Sequence, residues 1–505
     1  MPNLENKRRT LLGQVGLGIA LSTLALTGCA VEAQSDDLGE SEGAIVLGNP
    51  NDPNGIANPT GRHRIMTVNG ASVDTNAATN PFFRSMGTNG RACSDCHQPA
   101  AAMGITPPQV RQVFDQTQGL DPLFRLNDGA NGPLARVGTL EERRRAYSML
   151  LNKGNIRIPM TLPSNRDFDI RVVLDPFAGT GANPPLNQTV PAGASPIISV
   201  YRRPLLSANT RFISAVMWDG REAAAANAVA TTPGSGQRIP AHSSSAPVFR
   251  NMLVQSNNAT LGHAEGASNL SDTIRNQIVT FQMNLVVAQQ TDNQAGALNN
   301  GANGGAAFLR TQETFFGIND SHGGNPIAGT PFNRNAMTIF NGWNGRTGRQ
   351  GQIARGQNIF NTKLIRISGV RGVNDALGVA TLDGTCTTCH SHPNVGNHTD
   401  ILPLDVGIST PGESDNVHPV FRITNRATGQ AIETTDPGRS LVTGRFADLN
   451  KQKGPTLRAL SSRAPYFHNG SADNIREVID FYNRRFGIGF NQGEIDDLKA
   501  FLEAL

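Results

Sequence analysis

The sequence predicts a mainly α fold in which two domains are each built around the same pentapeptide and joined by long irregular loops. Three observations carry that expectation. The pentapeptide Cys93-Ser-Asp-Cys96-His97 returns as Cys386-Thr-Thr-Cys389-His390, in a chain of 505 residues with five cysteines. Segments near both pentapeptides carry apolar residues at helical spacing, and the stretches between them are rich in Gly, Asn and Pro. Two thiols three apart can each bond one vinyl group of a haem, and the histidine that follows then sits under the iron. Cys-x-x-Cys alone is ambiguous among zinc ligation, a redox dithiol and haem attachment. The adjoining histidine and the repetition favour two c-type haems. Zinc would need more thiols or a second ligand pair beside each motif, and none is nearby in the sequence. The expected architecture is therefore two cytochrome c-like haem domains. Cys93, Cys96, Cys386 and Cys389 are the attachment points, and His97 and His390 the iron ligands.

Residues 1–28 read as an export leader: Lys7, Arg8 and Arg9, an apolar run from Leu11 to Leu26, then Leu26-Thr27-Gly28-Cys29. The run is broken by glycines and is too short for a comfortable transmembrane helix. Leu-Thr-Gly-Cys resembles the lipobox of bacterial lipoproteins, whose cysteine becomes the lipidated first residue. That implies a membrane anchor on Cys29 and a place on the periplasmic side of the outer membrane. Two other readings stay open, cleavage after Val31-Glu32-Ala33 and twin-arginine export through Arg8-Arg9-Thr10-Leu11-Leu12. Twin-arginine export carries folded proteins, whereas c-type haem is attached to unfolded chain after export. With Cys29 lipidated, all five cysteines have roles and no disulfide remains. Residues 29–60 read as a polar tether.

Residues 61–290 form the expected N-terminal haem domain, 291–350 a Gly/Asn-rich connector and 351–505 the C-terminal cytochrome c domain. Thr139 to Asn152 reads as a helix capped by Thr139. Residues 161–197, rich in Pro, Asn and Gly, read as irregular, and Ile274 to Ala288 as a helix with an apolar face. Gly356 and Phe360 share a helix face. A helix capped by Ser471 or Asp473 presents Ile475, Val478, Ile479 and Tyr482. The last helix, from Glu494, carries a stripe of Ile495, Leu498, Phe501, Leu502 and Leu505. No segment has a strand pattern strong enough to predict a sheet. The net charge of +4 is spread along the chain without an aromatic-plus-basic cluster, which excludes nucleic acid as a partner. With 54 glycines, 2 tryptophans and 4 tyrosines, the composition suits a loop-rich fold packed around large cofactors.

Met217-Trp-Asp-Gly-Arg-Glu222 and the segment Gly454–Tyr482 (GPTLRALSSRAPYFHNGSADNIREVIDFY) resemble signature segments of the bacterial dihaem cytochrome c peroxidases and their MauG relatives. The resemblance covers both pentapeptides and most of residues 80–100, 200–290 and 350–505. It implies that peroxide reacts at the N-terminal haem and that the C-terminal haem passes electrons, with Trp218 between them. It also implies a small redox donor protein of the cytochrome or cupredoxin class. The family's Gln and Glu, ten positions apart after the tryptophan, are matched by Gln255 and Glu265 if residues are inserted after Trp218. Breaking the O–O bond of peroxide leaves a hydroxide that must be protonated as it departs, and a positioned carboxyl such as Glu265 can do so. His263 is the alternative acid–base group, or a distal ligand in a resting state.

The last methionine of the chain is Met337, so nothing after Cys389 offers a thioether to the second haem. Where the peroxidases carry a methionine ligand, fourteen residues beyond the Pro-Tyr-Phe-His histidine, this chain has Tyr482, and MauG relatives place a tyrosine ligand there. Tyr482 and His468 are the expected second ligands, with His392, His398 and His418 behind them. The resemblance further implies a calcium ion between the haems, held partly by the carbonyls of Arg463 and Pro465. Arg202 stands where a ligand asparagine is expected, a cation in place of an oxygen. Three function classes remain. The first is a peroxidase or MauG-like oxidase using hydrogen peroxide or O2. The second is a pure electron-transfer cytochrome with both irons six-coordinate. The third is an oxygenase of an apolar substrate related to rubber oxygenases, whose pocket the long inserts at 100–200 and 291–350 could build.

Overall fold

Helices hold 30% of the residues and strands 17% in the computed structural model. Helix leads, but mainly α understates the β content. The structure describes residues 45–191, 193–222, 246–315, 317–321, 323–325, 327–399, 403–413 and 417–505. The expected leader and the lipid anchor at Cys29 lie outside these residues. Among the described residues no helix is long and apolar enough to cross a membrane.

Among the described residues four antiparallel sheets occur that were not anticipated. One has the order Ile56–Asn58, Gly61–Thr67, Leu285–Asp292, Gly296–Ala297. Its third strand corrects the expected helix Ile274 to Ala288. The helix runs Asp272–Met283, and the chain then pairs as strand from Leu285 with Thr67. Leu285, Val286, Val287 and Ala288 are all fully buried, so both strand faces are covered and the alternation that would betray a half-exposed strand is missing. The expected irregular stretch 161–197 likewise contains Phe168–Leu174, which pairs with Val420–Asn425 in a second four-stranded sheet. Ile156–Thr161 pairs with Ile197–Arg202, and Ile365–Ser368 with Thr381–Gly384. The second sheet joins residues far apart in the chain, and Phe168, Ile170, Val172, Phe421 and Ile423 share one core. Residues Gly39–Leu505 form one compact unit holding both pentapeptides.

Helix ends follow local chemistry. Thr139 caps Leu140–Ala146 in a reciprocal box with Glu142, and a second helix, Ser148–Lys153, follows after Tyr147. The helix Ile475–Phe486 is capped by Asn474, whose side chain accepts from Glu477 N, and not by Ser471 or Asp473. Gly348–Thr362 lies against Gln492–Glu503 so closely that a Cβ on Gly356 would meet Asp497 O at 1.9 Å. Phe360 and Phe501 meet across this contact, ring centroids 5.5 Å apart.

Candidate functional site

Each pentapeptide forms a single helical turn, Cys93–Cys96 and Cys386–Cys389. The histidine N–H closes each turn on the first cysteine's carbonyl, at 3.1 Å for His97 and 3.0 Å for His390. Six residues further on, a residue in the left-handed region turns the chain back, Met103 (φ 63) in one case and Gly396 (φ 74) in the other. Its carbonyl accepts from the imidazole Nδ1, at 3.1 Å for His97 and 2.8 Å for His390. A carbonyl only accepts, so Nδ1 carries the proton and Nε2 is left with its lone pair. That is the tautomer a metal-binding histidine needs.

The likeness extends outward. Phe82 stands 6.1 Å from His97 and Phe360 6.1 Å from His390, both tilted by 47°. Phe281 backs the first phenylalanine at 4.9 Å, as Phe501 backs the second. Burial holds both imidazoles down to about 4, hence neutral at neutral pH. Burial also pushes the four thiols up to about 12.

A cavity opens beside each turn. The first, about 1470 Å³ of empty space with its mouth, is walled by Cys93, Cys96, His97, Gln255 and His263. The second, about 1840 Å³, is walled by Cys386, Cys389, His390, Tyr482 and His468. Arg203, Trp218, Lys453, Pro455, Thr456 and Arg463 border both. Trp218 is clamped there: its Nε1 donates to Arg203 O, its carbonyl accepts from Lys453 N, both at 2.7 Å, and its ring meets His468 edge-on at 6.1 Å.

Gln255 and His263 reach the first cavity from the helix Ala246–His263. Glu265 does not. It is exposed on a turn of positive φ beyond the helix end, and its carbonyl is anchored by Thr88. A proton donor must reach the reacting oxygen, and this placement does not support the role expected for Glu265. Sequence reading missed Asp128, which is hydrogen-bonded to His263 Nδ1 and ion-paired with Arg91. Burial works against the Asp128 charge, but Arg91 and His263 outweigh it and hold the carboxyl down to about 2. No spacing rule could find a partner 135 positions away.

Tyr482 packs among Phe467, Phe481 and Phe486 on the wall of the second cavity. Burial, with Cys389 and Cys386 nearby, pushes its phenol up. The His468 Nε2 is within 3.4 Å of Ser409 Oγ and 3.5 Å of Asp436. His392, His398 and His418 are not on either cavity wall. They face Thr314, Cys389 O and Asn155 respectively. Arg202, fully buried, is paired at 2.5 Å with Asp219 and at 2.6 Å with Asp436. It is Arg203 that donates to Arg463 O, at 3.0 Å.

These residues fit c-type haem: paired thiols and a preset histidine beside each apolar cavity, and basic groups on the wall the two cavities share. Arg203, Lys453 and Arg463, all on the shared wall, have no ion pair among the described residues. Buried cations of this kind suit the propionates of a bound haem. The donor set and the two apolar cavities are those a haem-binding protein needs.

Similarity to known proteins narrows the class. The chain is 31% identical over 150 residues to a cytochrome-c peroxidase of Denitromonas iodatirespirans, covering 26% of this chain and 38% of that protein. It is 30% identical over 151 residues to a cytochrome-c peroxidase of Pseudomonas sp. strain SCT (25% and 38%). It is 32% identical over 123 residues to the cytochrome c551 peroxidase of Nitrosomonas europaea (24% and 30%). The chain thus spans less than two fifths of the length of these curated relatives. No family model matches. The partial matches support the bacterial cytochrome c peroxidase family.

Proposed function

We propose that this protein is an exported dihaem c-type oxidoreductase that reduces hydrogen peroxide, or uses peroxide or O2 in the manner of MauG. The reaction takes place in the first cavity, with electrons entering through the second. The observation that carries the reading is one wall, with Trp218 in it, shared by two cavities of matched build and unlike far sides. His97 and His390 would each hold an iron through Nε2, and Tyr482 would complete the second site. Bound haem supplies peroxide binding and electron exchange.

This chain's own residues then divide the work. Asp128 holds the Nδ1 proton of His263, so its Nε2 can take a proton from incoming peroxide and return it to the departing oxygen. Gln255, whose amide donates hydrogen bonds but is not an acid, orients the peroxide. Trp218 presents an aromatic ring to both cavities. A small redox protein of the cytochrome or cupredoxin class supplies the electrons.

The test is made on holoprotein matured with its haems. Pyridine haemochrome should give two haems per chain, and Cys386→Ala with Cys389→Ala should leave one. The resting spectrum should show a high-spin component that changes on adding peroxide. Zero haem overturns the reading. A wholly low-spin spectrum indifferent to peroxide makes the protein an electron carrier instead.

A further inference from the structure

We infer that the guanidinium of Arg203 takes the place of a divalent cation between the two cavities, so that the protein neither holds nor needs calcium there. The inference rests on the dihaem reading only in that two haems flank the wall. Arg203 is buried, and it donates to three main-chain carbonyls from three distant segments: Ile105 O at 2.6 Å, Lys153 O at 2.9 Å and Arg463 O at 3.0 Å. Convergent carbonyls are part of how a protein holds a hard cation, and here a side chain of this protein fills the ring.

The cradle is shaped for that side chain. Gly154, at φ 63, ends the helix Ser148–Lys153, and a Cβ there would meet Arg203 Nη1 at 2.7 Å. The Arg463 carbonyl, expected to ligate calcium, is taken. The second expected ligand, Pro465 O, lies two residues on, in a wall that also carries the Arg463 guanidinium and the Lys453 ammonium. A calcium ion entering here would meet the guanidiniums of Arg203 and Arg463, with the Lys453 side chain beside them. It would find no acidic ligand, since no ion pair of Arg203, Lys453 or Arg463 occurs among the described residues. Calcium sites gain affinity from carboxylates and lose it to like charge. The donor set therefore does not fit calcium. The expectation placed the intruding cation at Arg202, but that residue is occupied by Asp219 and Asp436. Its neighbour does the work.

The experiment uses holoprotein whose haem content has first been counted, so that a missing haem is read as failure of the dihaem reading and not of this one. Metal content, melting temperature and the Soret spectrum are recorded after dialysis against EGTA and after return of CaCl2. A ligand at a hundred times its Kd would raise the melting temperature by about 2–5 °C. The expected result is no bound calcium, no shift and no spectral change. Arg203→Ala should melt lower than the parent, because three main-chain carbonyls lose their donor. Arg203→Lys should stay indifferent to calcium. Bound calcium, or a calcium-dependent shift in the parent, overturns the inference whether or not the variants fold. A parent indifferent to calcium with an Arg203→Ala variant of unchanged melting temperature also overturns it, since the guanidinium would then hold nothing.

Discussion

In the proposed mechanism His263 carries the chemical weight at the level of single residues, because it lines the first cavity and its Nδ1 is held by Asp128. Removing a general acid–base group slows a reaction by about 10²–10⁴-fold. His263→Gln should lower peroxide kcat/KM within that range at unchanged haem content, whereas Glu265→Gln should keep parental kinetics. Stopped-flow mixing with peroxide checks both, and the opposite pattern would return the role to Glu265. The partner makes a separate prediction in pH. Asp128 has its carboxyl depressed from 3.8 to about 2, so its contribution to stability is complete above pH ~4 and is lost as pH falls toward 2. Asp128→Asn should therefore melt lower at neutral pH and show a flatter loss of melting temperature between pH ~4 and ~2. A parallel acid limb in parent and variant would mean that the ion pair contributes nothing. At the second cavity, Tyr482→Phe should alter the spectrum and potential of one haem, whereas His468→Ala should leave its ligation signature alone. His468 already has Asp436 and Ser409 beside its Nε2. Redox titration of the two variants distinguishes the ligands.

Among the elements, the contact of Gly348–Thr362 with Gln492–Glu503 behind His390 is the most tightly specified. Gly356 lets the backbones touch, and the Arg355–Asp497 pair at 2.7 Å and the Phe360–Phe501 contact lie on the same seam. A methyl at residue 356 would fall on backbone that cannot swing aside. Overpacking of a close-fitted core costs about 1–3 kcal/mol. Gly356→Ala should lose that much in urea unfolding and shift the absorbance of the second haem, because Phe360 leans on His390. An unchanged midpoint would show that the seam opens freely. The helix Ala246–His263 is the corresponding element of the first cavity: positions 252, 255, 256, 259, 260 and 263 all border the cavity, on one face.

For the whole molecule, the decisive feature is how much of the C-terminal chain is built into the N-terminal half. Val420–Asn425 pairs with Phe168–Leu174, and Arg202 binds Asp436 on one side and Asp219, next to Trp218, on the other. Arg202 thus holds the shared wall to both halves. Deleting it would strand two buried carboxylates, and breaking such a network by removing one partner costs about 3–5 kcal/mol. Arg202→Ala should lower the unfolding free energy by that amount and also disturb Trp218 fluorescence. A loss below about 1 kcal/mol would mean that Arg221, already 2.9 Å from Asp219, takes over the charge.

What the sequence determined by itself is the chemistry contained within a few residues. The two Cys-x-x-Cys-His turns, the Thr139 cap and the Gly356/Phe360 face could all be read because the atoms concerned are neighbours along the chain. The helix ending at Met283 was legible for the same reason. The strand that follows was not, because Leu285–Ala288 is buried on both faces and only its partner strand makes it extended rather than helical. Nor was the Asn474 cap, which competes with Ser471 and Asp473 on equal local terms. Only the tertiary structure could set Asp128 against His263, leave Glu265 in solvent and place Arg203 rather than Arg202 on the Arg463 carbonyl. Each of these depends on where distant segments meet. Adjacent residues along an extended strand point to opposite faces, so a shift of one position decides which arginine meets two aspartates and which meets three carbonyls.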